Sequence, residues 1–140
     1  MKIKPYVFFL ILISITCMQM ACANQNKKMA LRTVHFDYDK SYIRTDMIPV
    51  MDGNASYIKN KIGTAVTIAG HCDSRGSNEY NYALGARRSE ITKSYLVSHG
   101  INAARVKTIS YGEDKPECNQ SNESCWYMNR RAEFFTGTKH

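Results

Sequence analysis

The sequence predicts one α/β domain, an α+β sandwich of order β-α-β-α-β-β with its helices packed on one mixed sheet. Three observations predict it. β-branched and apolar runs alternate along the chain with segments of helical periodicity. The first helical segment carries an amphipathic stripe at spacings of three and four, and the second is long and stops at a glycine. At 140 residues the chain is large enough for a single core.

The elements begin after an export signal. Lys2 and Lys4 precede the apolar run "YVFFLILISI" (Tyr6 to Ile15), which is too short to span a bilayer comfortably. Residues 1–21 read as a removed leader, because Ala21 is the small residue expected before an acylated Cys22. Gln19 and Met20 depart from the usual lipobox, so an ordinary secretory signal with an incidental cysteine is the alternative. Several acyl chains on Cys22 would anchor the protein stably to a membrane, where one chain is marginal. Residues 22–31 form the lipidated end and a short polar tether, and residues 32–140 form the domain.

"LRTVHF" (Leu31 to Phe36) reads as the first strand, with Val34 and Phe36 on one side. Thr45 or Asp46 then caps a helix running to about Lys61, with Ile48, Met51, Ala55, Ile58 and Ile62 on its apolar stripe. Pro49 sits in the first turn, where its missing amide hydrogen costs little. "TAVTIAGHC" (Thr64 to Cys72) is a central strand. The long helix runs from about Asn78 to His99, with Leu84, Arg88, Ile91 and Tyr95 on one face. "RVKTISYG" (Arg105 to Gly112) is a third strand, and "NRRAEFF" (Asn129 to Phe135) is a helix remnant entering a final strand. Between them Cys118 and Cys125 enclose the polar loop "NQSNES" and are candidates for a local disulfide in an oxidising compartment. Cys72 reads as a small buried hydrophobe.

Charge narrows the partners. The formal +7 falls to +5 when Lys2 and Lys4 leave with the leader. Basic residues are spread, with no dense run and no aromatic-basic strand pattern, which argues against nucleic acid. A modest positive balance suits an anionic polymer or an acidic protein surface.

Two clusters carry candidate chemistry. His71-Cys72-Asp73 invites a thiol or metal enzyme, but neighbouring strand residues point to opposite faces, and no second Cys/His pair stands at ligand spacing. His35 and His99 are isolated. The second cluster is Asp73 at a strand end with Arg88 about three turns into the next helix. It is either a structural ion pair or a clamp for a zwitterion, the arginine fork gripping a carboxylate and the aspartate accepting from an ammonium.

The run "GHCDSRGSNEYNYALGARRSE", with "VHFDYDKSYI" before it and "SYGEDKPECNQSNESCWYMNRRAEF" after it, resembles the OmpA-like C-terminal domain family over about Val34 to Phe135. The resemblance implies a non-catalytic domain, without cofactor, that binds meso-diaminopimelate of the peptidoglycan stem peptide. It carries the family's binding positions to Asp73, Asn81, Leu84 and Arg88, with Tyr38 and Asp39 from the loop after the first strand and Arg75 at the rim. It also implies an outer-membrane lipoprotein anchored through Cys22, its domain in the periplasm, partnered by TolB and the Tol complex. Cys72 and Gly85 stand where many members have Thr and Ser, small-residue changes expected to matter little. A related wall binder without the lipid anchor is the nearest alternative.

Overall fold

A computed structural model describes residues 30–137, so the expected leader and Cys22 lie outside the described residues. A four-stranded mixed sheet has the order β1-β4-β2-β3, with β1 at Val34–His35, β2 at Val66–His71, β3 at Val106–Gly112 and β4 at Arg131–Thr136. Strands β2 and β3 are parallel, whereas β4 runs antiparallel to both β1 and β2. A parallel pair needs a long crossover, and the helix between these strands supplies it. The helices are α1 (Ile48–Asn60), α2 (Asn78–Ser98) and α3 (Glu123–Asn129).

The core lies between the sheet and the two longer helices. Val34, Val66, Ile68 and Val106 from the strands meet Met51, Ala55 and Ile58 of α1 and Leu96 of α2. The predicted fold class therefore stands, and several element boundaries need correction. The first strand is shorter than expected, Val34–His35, with the Phe36 amide adding one bond to the Arg130 carbonyl at 2.9 Å. Asn54 of α1 bonds both the amide and the carbonyl of Arg32, which takes that backbone away from the sheet. Neither Thr45 nor Asp46 caps α1, since a single 3-10 turn (Thr45–Met47) precedes it and Arg44 holds both oxygens of Asp46. Ile62 leaves the stripe at 92% exposed, because the helix has ended and the chain is turning toward β2.

Helix α2 matches its expected span, opened by Ser77, whose hydroxyl accepts from the amide of Tyr80, and followed by Gly100 at φ +86°. Its inward face differs from the expected one. Asn81, Leu84, Gly85, Arg88, Thr92 and Leu96 are buried, while Ile91 is exposed. Two glycines set this rotation by letting backbones meet, as a Cβ on Gly70 would lie 1.9 Å from the Gly85 carbonyl oxygen. The polar members of the face are satisfied locally, Thr92 donating to the Arg88 carbonyl at 2.7 Å.

The expected open loop before β4 contains α3, and the helix remnant expected at Asn129 is in fact the end of that helix. The Asn122 side chain caps it by accepting from the amide of Cys125 at 3.0 Å. A disulfide joins Cys118 to Cys125 and ties α3 to the segment before it.

Candidate functional site

Strand β2 ends at His71, and the chain then turns through Cys72, Asp73 and Arg75 into α2. Across this turn lies the loop that follows β1. The three segments enclose a cleft of about 240 Å³, and Tyr38, Asp39, Asp73, Arg75, Asn81, Leu84 and Arg88 all line it. Cys72, Tyr80 and Arg130 line it as well.

Of the two alternatives for Asp73 and Arg88, the direct ion pair does not form. Arg88 is fully buried and points its guanidinium at backbone oxygens, with Nε donating to Lys40 at 2.9 Å, Nη1 to His71 at 2.8 Å and Nη2 to Asp37 at 3.0 Å. A second Nη1 hydrogen reaches Cys72 Sγ at 3.4 Å. Four of its five N–H groups are thus committed, and one on Nη2 has no partner among the described residues. This corrects the ion-pair alternative: Arg88 is not bonded to Asp73, and most of its fork is already engaged by backbone oxygens. Burial lowers its pKa, yet the group stays a cation at any ordinary pH. A buried guanidinium without a carboxylate at its side leaves uncompensated positive charge at the cleft.

Asp73 is held by other arginines. Arg75 donates to it from its amide, Nε and Nη2, the last at 2.6 Å, and Arg130 donates from Nη1 at 3.2 Å. Burial works to raise the pKa of this carboxyl, but the Arg75 side chain and amide, with Arg130, outweigh it and hold the group below its ordinary value. Arg130 escaped the sequence reading. It sits just before β4, is nearly fully buried, and also bonds Glu123 at 2.6 Å and the Phe36 carbonyl at 3.0 Å. Arg130 and Arg131 stand side by side at a strand start, a pattern that separates the two but names no partner for either.

The rim is aromatic. Arg75 lies between two rings, its guanidinium carbon 3.9 Å from the Tyr38 centroid and 4.1 Å from that of Trp126. Tyr80 donates its hydroxyl to Asp39, whose φ of +56° is tolerated by a short polar side chain. Asn81 Nδ2 donates to the carbonyls of Asp73 and Arg75 and to Glu113 Oε2, locking the turn onto α2.

His71 and Cys72 do face different spaces. Cys72 is a buried thiol, pushed up to about 11 chiefly by burial, so it is protonated at neutral pH and donates to the Asn81 carbonyl. The His71 ring lines a separate groove with Thr67, Tyr111, Lys115, Arg131 and Glu133. No group of three His, Cys, Asp or Glu side chains converges as a metal site among the described residues.

Neither His71 ring nitrogen completes a hydrogen bond, and Glu133 Oε2 stands 3.6 Å from Nε2. Burial, then the Arg131 charge, lowers its pKa from 6.5 to about 4. Between those values the unfolded chain binds a proton that the folded chain refuses. The His71 contribution is therefore fully present above pH 6.5, is lost as pH drops toward about 4 and changes no further below. His35, also lowered by burial, acts in the same direction. The urea midpoint should be lower at pH 5 than at pH 7, and His71→Phe should reduce that difference. An unchanged difference in the variant would assign the effect elsewhere.

Residues 35–130 match the OmpA family model. The peptidoglycan-associated lipoprotein of Rhizobium meliloti is 46% identical over 99 residues, which cover 71% of this chain and 56% of that protein. The chain thus spans little more than half the length of that relative. The crystal structure of the peptidoglycan-associated lipoprotein from Burkholderia pseudomallei superposes with a TM-score of 0.76 at 31% identity, covering 82% of this chain and 98% of that one. The C-terminal domain of Helicobacter pylori MotB superposes with a TM-score of 0.72 at 21% identity, covering 79% and 87%, and shares the fold.

Proposed function

The chain belongs to the OmpA family, and from that membership we propose that it binds peptidoglycan non-covalently through the cleft between β2, α2 and the loop after β1. The ligand is the meso-diaminopimelate of the stem peptide, whose free end carries an ammonium and a carboxylate. The observation that carries this reading is Arg88, a buried guanidinium at the cleft that has, among the described residues, one unpartnered N–H and no carboxylate bonded to it. Such a charge attracts the ligand's carboxylate, and Asp73 offers the ammonium a carboxylate kept ionised by its surroundings. Leu84 gives the aliphatic stem an apolar wall, and Asn81, Tyr38 and Asp39 complete the lining.

The protein is an outer-membrane lipoprotein in this proposal. Acylated Cys22 holds the membrane while the domain grips the wall, a reversible mechanical link with no turnover. The family resemblance adds TolB and the Tol complex as partners in envelope integrity and in outer-membrane constriction at division. Among the described residues no helix is long and apolar enough to cross a membrane.

Co-sedimentation with purified sacculi tests the central step. The protein should pellet with sacculi and be released by a soluble diaminopimelate-containing stem peptide. Failure to pellet, or retention unaffected by excess peptide, would reject the assignment. Mass spectrometry of the mature N-terminus decides the anchor, since a product lacking diacylglycerol on Cys22 would leave a wall binder held some other way.

A further inference from the structure

The Asp73 carboxylate has no room for another donor. Its Oδ1 accepts the Arg75 amide at 3.1 Å and Arg75 Nε at 3.2 Å, while Oδ2 accepts Arg75 Nη2 at 2.6 Å and Arg130 Nη1 at 3.2 Å. An ionised carboxylate offers about four lone-pair sites, so these bonds fill it. A ligand ammonium can reach Asp73 only if a partner leaves.

The partners differ in freedom. The Arg130 side chain is 4% exposed and is also held by Glu123 and the Phe36 carbonyl, so it cannot withdraw without opening the fold. The Arg75 amide is backbone. The Arg75 side chain is 30% exposed, and apart from Asp73 it is held by the faces of Tyr38 and Trp126 and a longer ion pair to Glu123. Glu123 Oε2 already stands 3.8 Å from Arg75 Nη2, on a side chain that is 65% exposed. A withdrawn guanidinium would find a counter-charge there.

Two aromatic faces and a carboxylate around one cation are the chemistry of an ammonium-binding cage. We propose that Asp73, Tyr38 and Trp126 form the subsite for the ligand's ammonium, that Arg75 occupies it as a resident cation in the free protein, and that the ligand binds by displacing Arg75. This rests on the wall-binding reading and adds to it a control on affinity. A compact ammonium presents three donors on a small charge and fits where the larger guanidinium now lies. A ligand without that ammonium has nothing with which to exchange.

The test is calorimetric titration of the full mature protein with the tripeptide L-Ala-γ-D-Glu-meso-diaminopimelate. Arg75→Gln removes the resident charge and keeps most of the side-chain length. It should bind the tripeptide about fivefold more tightly than the parent, the gain from losing a competing stacked cation. Acetylating the ammonium on the free end of the diaminopimelate, with the alanine amine left unmodified, should abolish that gain. Equal or weaker binding by a folded Arg75→Gln variant, when the parent binds, would overturn the displacement and leave the wall-binding reading standing. A parent that binds neither tripeptide nor sacculi would overturn both. The parent supplies a second readout free of any folding defect, since Trp126 is the chain's one tryptophan. Its emission should change as the stacked guanidinium leaves, and an emission constant through saturation would overturn the displacement.

Discussion

Replacing Arg88 by alanine should lower stability by about 3 kcal/mol, the scale for taking a charged donor from several backbone carbonyls at once. The variant should also lose retention on sacculi. The carbonyls of Asp37, Lys40 and His71 would each lose a charged donor, and two of them lie in the loop that closes the cleft. An acceptor left unpaired costs about 1–3 kcal/mol when buried, so the expected loss falls on two segments, the loop after β1 and the end of β2. Sequence reasoning alone expects the opposite for stability, because an arginine that reaches toward a ligand can be removed without harm to the fold. The geometry reverses that expectation. Urea denaturation decides it, and a loss within about 1 kcal/mol of the parent would be too small for the bonds described. Arg88→Lys separates the two roles. It keeps the charge but has no planar fork to span three carbonyls, so it should remain folded at reduced stability and retain weakened wall binding.

What was legible in the sequence, and what was not, divides along a physical line. Local signals carried through: α2 runs from Asn78 to Ser98 with its glycine stop at Gly100, Asp73 closes the turn after β2, and His71 and Cys72 face apart. These depend on period, caps and strand alternation, all readable within a dozen residues. The partners of Asp73 were not legible from spacing alone. Asp73 and Arg88 lie near one another, yet the bonds go to Arg75 two residues away and to Arg130, separated by 57 positions. An arginine has five donors, and whether it takes a carboxylate or three carbonyls depends on where a distant loop lays its backbone. The inward face of α2 was misread for a related reason. Leu84, Ile91 and Tyr95 are the apolar choices, but the backbone contact at Gly70 and Gly85 turns the helix so that Asn81, Ser89 and Thr92 face in. Helix α3 was hidden because "NQSNES" reads as a polar loop, although its Asn122 is a capable cap.

That backbone contact carries the other large effect. Gly70→Ala places a methyl group 1.9 Å from the Gly85 carbonyl oxygen and 2.7 Å from its carbon, distances no side-chain rotation can relieve. The helix must lift from the sheet. The cost should be about 3 kcal/mol, the upper end for overpacking, since the obstacle is backbone. Gly85→Ala should cost less. Its nearest obstacle at 2.4 Å is the Ser110 hydroxyl, which can turn away at the expense of its bond to the Tyr82 carbonyl, and the Gly70 oxygen stands at 2.9 Å. Both variants reach the cleft through the same movement. Asp73 follows β2, whereas Asn81, Leu84 and Arg88 ride on α2, so separating strand from helix pulls the two sides of the site apart. Retention on sacculi should therefore fall further than the folded fraction measured on the same sample. If Gly70→Ala melts like the parent, the close approach is not what sets the position of α2. If it is destabilised while its folded fraction binds fully, the cleft does not depend on that position.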